Sequence, residues 1–263
     1  MTGVPSDTAL IGLDFTAHTL RIRVADIDGS VLAHREFDLP PLEDESAWTW
    51  EVGGRIATTL AAEGNRRSAL AIGVAAPGPV DPITGQLLRA ADGPAGWEGL
   101  AIVEGLRRHI DVPVVAMSRV MAGLQAERRA GAARGVSDAL YISLRGVPTA
   151  AVLAGGRLVR GHGEEAGALP AVPQFEAGVR LSGANLEAAA GLLADAIALL
   201  DPEFAVIDAA DEHAEALVPL LQRVVDEVAP GPKVVRAALG ADGPVIGALY
   251  FASTVAYEGE RSA

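Results

Sequence analysis

The chain has 263 residues, half of them hydrophobic but only 4% aromatic, so a sizeable core must be filled mainly by Ala, Val and Leu. It contains no cysteine, which excludes disulfides, thiolate metal sites and Cys nucleophiles, and its five histidines include no H-x-x-x-H pair. A net charge of −13 with a single lysine, Lys233, opposes binding to phosphate backbones, and no apolar run reaches the roughly 18 residues of a membrane span.

Three strands are predicted first, at Ala9–Asp14, Leu20–Ile27 and Val31–Leu39. Asp28-Gly29 between the last two is a hairpin signal. A helix-period stretch follows over 43–63, interrupted by Gly53-Gly54. Next come a strand at Ala69–Ala75, a Gly/Pro-rich loop to Gly99, a helix at Leu100–Ile110, a strand at Val112–Met117 and a helix at Val120–Ala133.

A similar order then repeats. Strands are predicted at Ala139–Leu144 and Thr149–Ala154, and Gly155-Gly156 turns the chain into Arg157–Arg160. Segment 161–184 has no period and reads as a loop. A helix at Asn185–Leu200, a strand at Phe204–Asp208, a helix at Glu212–Ala229, a strand at Val234–Leu239 and a final helix at Val245–Tyr257 complete the chain. Three strands followed by alternating helices and strands, twice over, imply two α/β domains around a cleft.

Three motifs fit a known pattern: Gly73-Val74-Ala75-Ala76-Pro77-Gly78-Pro79-Val80-Asp81, Gly131-Ala132-Ala133-Arg134-Gly135 and Gly155-Gly156-Arg157-Leu158. On these the chain resembles the ROK family of repressors, open reading frames and sugar kinases. The resemblance implies two actin-like ATPase (ribonuclease H-like) domains flanking a cleft, at residues 1–118 and 119–263. The last helix has the option of packing back on the first domain. It also implies a homodimer formed through the second domain.

Against that frame the chemistry departs. Where a family kinase has E-N-D-A-N, this chain has Met117-Ser118-Arg119-Val120-Met121. The family's catalytic base therefore aligns with Arg119, which cannot accept a proton, and a sugar-binding Asn aligns with Ser118. The phosphate hairpin D-x-G-G-T-K becomes Asp14-Phe15-Thr16-Ala17-His18-Thr19, which keeps Asp14 but neither glycine. The second phosphate loop, G-T-G-I-G-G-G, becomes Arg145-Gly146-Val147-Pro148-Thr149-Ala150-Ala151, in which Pro148 removes an amide donor. The sugar-binding Glu and His of the family align with Ala168 and Ala171, with Glu164 and Glu165 displaced from that register. The family's zinc motif has no counterpart. The strand ending at Asp208 is followed by Ala209-Ala210-Asp211 rather than by the adenosine-site glycines. Trp97 in GPAGWEGL survives, and its family role is packing near the sugar pocket.

These departures imply a non-catalytic, regulatory or ligand-sensing member, a pseudo-sugar-kinase. A cytoplasmic location is expected from the lack of a membrane span and of a basic n-region in MTGVPSDTALIGLDF. No cofactor, metal or direct nucleic-acid contact is expected, while a sugar-like effector is a candidate ligand. The candidate ligand residues are Asp14, Trp97, Ser118, Arg119, Arg145, Glu164, Glu165 and Asp208. The rival readings are an active hexose kinase with an unconventional base, an enzyme of different chemistry, and a purely structural dimer module.

Overall fold

The computed structural model describes residues 8–42, 44–62, 67–90, 97–169 and 183–262. In chain order its elements are β1 (Thr8–Phe15), β2 (Thr19–Ala25), β3 (Val31–Asp38), α1 (Glu45–Ala62), β4 (Ser68–Ala76), α2 (Ile102–His109), β5 (Val114–Ser118) and α3 (Arg119–Ala130). They continue with β6 (Ala139–Ser143), β7 (Thr149–Ala154), β8 (Arg157–Val159), α4 (Ala184–Leu200), β9 (Phe204–Asp208), α5 (Asp211–Val228), β10 (Lys233–Arg236) and α6 (Gly243–Ser262).

Two five-stranded sheets result, ordered β3-β2-β1-β4-β5 and β8-β7-β6-β9-β10. In each, an antiparallel three-strand meander is extended by two parallel strands, so one topology is used twice. The chain divides into two compact units, 1–122 with 244–263, and 123–243. The first division falls inside α3 and the second just after the start of α6.

In the first unit, alternate residues of β1 face opposite sides of the sheet. Ile11, Leu13 and Phe15 join Trp48, Val52 and Ile56 of α1 and Leu106 of α2 in one core. Leu10 and Ala71 face Ala252 and Ala256 of α6 on the other side. The helix lies directly on the strands because two neighbouring positions lack side chains. A Cβ at Gly12 would meet the Val245 carbonyl oxygen at 2.5 Å, and one at Gly73 the Ala248 carbonyl oxygen at 1.9 Å. The scarcity of aromatics is thus matched by backbone-to-backbone packing. In the second unit, Leu140, Ile142, Ala205 and Ile207 pack against Ala190, Leu193 and Ile197 of α4 and Leu217, Leu221 and Val225 of α5.

Two expectations are corrected. Gly53-Gly54 does not interrupt the first helix: α1 runs through both residues, burying Trp48, Val52 and Ile56 on one face. Each glycine costs about 1 kcal/mol of helix propensity, less than the burial of that stripe returns. The last strand is shorter than the 234–239 expected, because Ala238 and Leu239 turn away and give their amides to Glu127. Within segment 161–184, residues 161–169 form a folded turn and Gly183-Ala184 lead into α4. The Ala150 amide donates to the Gly167 carbonyl, and Ala168 bridges to Thr149. Residues 170–182, including the aligned Ala171, lie outside the described residues.

Candidate functional site

In the first unit the parallel strands β1, β4 and β5 end at one edge of the sheet, where open α/β sheets present functional residues. Asp14, next to last in β1, is only 1% exposed. Arg119 is the first residue of α3, immediately after β5. Its guanidinium grips Asp14 in a fork, Nε donating to Oδ1 at 2.5 Å and Nη2 to Oδ2 at 3.2 Å. Arg21, opposite Asp14 on β2, donates to Oδ2 at 3.5 Å and also holds Glu36 on β3 at 2.9 and 3.3 Å. A charge ladder therefore crosses three strands in register. A carboxylate this deeply buried needs such compensation.

Ser118 closes β5, and its Oγ accepts from the Met121 amide at 3.4 Å, capping the start of α3. The β1–β2 turn is capped from within. The Thr16 hydroxyl oxygen accepts from the amides of His18 at 3.2 Å and Thr19 at 3.0 Å, and it pairs with the Thr19 hydroxyl at 2.9 Å. Amides that a glycine turn could aim at a phosphate are spent on a side chain here.

The loop 77–88 keeps a tight fold. Gly85 takes φ +70°, and the Asp81 carboxylate accepts amides from Ile83 at 2.8 Å and Thr84 at 2.9 Å. The Thr84 amide, then that of Ile83, holds the Asp81 carboxyl below the ordinary aspartate value. Trp97 is fully buried. Its indole N–H donates to the Leu42 carbonyl at 3.0 Å, and its ring meets Phe15 edge-on at 5.4 Å. It is a core residue of the first unit.

The second unit carries its own arginine–aspartate pair at the corresponding sheet edge. Asp208 ends β9 and is 2% exposed. Arg145, just past β6, donates from Nε to Oδ1 at 2.6 Å and from Nη2 to the Ala209 carbonyl at 2.7 Å. The Tyr141 hydroxyl donates to Oδ2 at 2.9 Å and Ser143 Oγ to the same oxygen at 3.3 Å. Glu164 lies elsewhere in this unit: it takes φ +60° and accepts from Arg160 at 2.9 Å. Glu165 is exposed in the same turn.

Sequence reasoning thus singled out both members of each pair without joining them. It missed Tyr141 and Glu127. Glu127 is 1% exposed, and its carboxylate accepts the amides of Ala132 at 2.7 Å, Ala238 at 3.1 Å and Leu239 at 2.8 Å. The signal was there: Glu127 lies three residues after Leu124, in register with the buried face of α3. Among the described residues no cluster of three or more His, Asp or Glu could hold a metal. None of the described helices is long and apolar enough to cross a membrane.

The ROK family model matches residues 10–179. No curated protein matches the chain. Among solved structures, a ROK family glucokinase from Streptomyces griseus, in complex with glucose and AMPPNP, is 18% identical with a TM-score of 0.74, the match covering 94% of this chain and 99% of that one. A ROK hexokinase from Thermus thermophilus is 22% identical with a TM-score of 0.71, covering 97% and 100%. A ROK family transcriptional regulator, homologue of the E. coli MLC protein, is 15% identical with a TM-score of 0.78, covering 96% and 79%. At these identities the likeness establishes the fold: two α/β domains of the actin-like ATPase type.

Proposed function

The chain belongs to the ROK family, and we propose that it is a non-catalytic member, a regulatory or ligand-sensing protein on the sugar-kinase frame. One observation carries this reading: both oxygens of the buried Asp14 carboxylate are held by Arg119, the residue that aligns with the family's catalytic base. A guanidinium cannot take a proton from an attacking hydroxyl. It also occupies Asp14, the carboxylate that the resemblance leaves in the phosphate hairpin. The residues present do not fit Mg-ATP: Asp14 is neutralised, the β1–β2 turn amides are satisfied by Thr16, and Arg145 fills the edge beside Asp208. One solved relative is in complex with glucose and another is a transcriptional regulator, which supports a small-molecule effector for this chain. Direct nucleic-acid binding is not part of the proposal, since the net charge is −13.

Titration with Mg-ATP at millimolar ligand is expected to give no heat of binding, and hexose-dependent ATP turnover to stay at background. The Arg119→Asp variant should be as silent. A base contributes roughly 10²–10⁴-fold, but only on substrates already positioned. Micromolar affinity for Mg-ATP, or phosphoryl transfer by either protein, overturns the reading in favour of a hexose kinase.

We also propose that the protein is a homodimer through α4 and α5. Leu199 is 84% exposed on α4 and Val228 56% exposed on α5. A groove of about 660 Å³ between these helices, lined in part by Leu186, Pro219 and Leu220, carries one acid, Glu187, and one base, Arg223. A two-fold axis makes such a face self-complementary, Glu187 of one copy meeting Arg223 of the other. Light scattering at tens of micromolar is expected to return twice the chain mass. A concentration-independent mass of one chain overturns the dimer.

A further inference from the structure

We propose that Asp208 is a conformational relay: through Tyr141 and Arg145 it controls both places where the chain passes from one unit to the other. Those places are 122/123, inside α3, and 243/244, at the start of α6. The Tyr141 side chain is 1% exposed and bears on both. A Cβ at Gly123 would come within 2.7 Å of its hydroxyl oxygen, and one at Gly243 within 3.8 Å of that oxygen and of the Gly123 Cα. The same hydroxyl donates to Asp208 Oδ2 at 2.9 Å. The other carboxylate oxygen, Oδ1, is held by Arg145 Nε at 2.6 Å. Arg145 in turn rests on the turn leading to the second passage: a Cβ at Gly240, where φ is +51°, would lie 3.6 Å from Nη2.

One buried carboxylate therefore holds two arms, and each arm reaches a glycine at or just before a passage. At Gly123 the missing side chain is what lets the tyrosine come so close, whereas at Gly240 and Gly243 a Cβ would lie in ordinary van der Waals contact with the arms. Anything that draws Arg145 off Asp208 changes the charge balance around the carboxylate. The tyrosine hydrogen bond, and with it the packing on Gly123 and Gly243, must respond. Ser143 is the internal control. Its hydroxyl also donates to Oδ2, at 3.3 Å, and accepts from the Arg145 backbone amide at 3.5 Å, but it is not among the atoms nearest to Gly123, Gly240 or Gly243. The relay rests on contacts within the second unit and goes beyond the question of catalysis.

Amide hydrogen exchange on the full chain tests it. Tyr141→Phe removes only the hydroxyl, and Arg145→Met only the guanidinium. Each is expected to speed exchange about tenfold at residues 122–126 and 240–247, the cost of losing one hydrogen bond to a charged group. The double variant should exceed the larger single effect by little, as for coupled residues. Ser143→Ala should leave both stretches unchanged. The relay is overturned by effects confined to β6 and β9, by a uniform rise across the whole second unit, by additive effects, or by Ser143→Ala reproducing Tyr141→Phe.

Discussion

Asp14→Ala is expected to destabilise the first unit by about 3 kcal/mol. Removing one partner of a buried ion pair costs about 3–5 kcal/mol, because the other charge is left uncompensated. The low end applies because Arg119 and Arg21 each keep 18% of their side chains in contact with solvent. At roughly 2–4 °C per kcal/mol for a domain of this size, the thermal midpoint should fall about 6–12 °C. Arg119→Met should cost less, since Arg21 remains near Oδ2. The double variant Asp14→Leu/Arg119→Met should recover most of the loss, as apolar replacements of buried pairs often do. This pattern separates a pair that holds the sheet edge together from a carboxylate kept free for a ligand. A loss below about 1 kcal/mol for Asp14→Ala would mean that the fork contributes little.

Much of this architecture could be read in the chain. Thr149–Ala154 and Phe204–Asp208 match the structure to the residue, because short apolar runs bounded by turns leave little choice. The hairpin at Asp28-Gly29 also holds, with Gly29 at φ +86° and its amide bonded back to Asp26. What could not be read was tertiary. Arg119 and Asp14 are 105 residues apart, Arg145 and Asp208 63 apart, and no local pattern pairs them. The resemblance explained why an arginine at position 119 is unusual, but not that its charge would be absorbed by Asp14, the residue kept from the phosphate hairpin. The same holds for α1: local propensity favoured a break at Gly53-Gly54, and burial of Trp48, Val52 and Ile56 overrode it.

Glu127 had a local signal in its register on α3, but its three partners are tertiary, and it carries the second large effect. Its carboxylate is the shared acceptor for Ala132, just after α3, and for Ala238 and Leu239, after β10. A buried amide left without an acceptor costs about 1–3 kcal/mol, and hydrogen bonds to a charged acceptor lie at the strong end. Three amides share one acceptor, so their losses overlap, and Glu127→Ala is expected to cost about 4 kcal/mol. Glu127→Gln should be intermediate. It keeps one carbonyl oxygen but must turn an NH₂ group toward amides that are themselves donors. The local geometry leaves no room for another solution: a Cβ at Gly131 would meet Glu127 Oε2 at 2.0 Å, so the turn is built around this side chain. Chemical denaturation of the two variants, followed by a probe in the second unit, checks the order alanine, glutamine, wild type from least to most stable. Equal stability of all three would show that water serves the three amides as well as the carboxylate does.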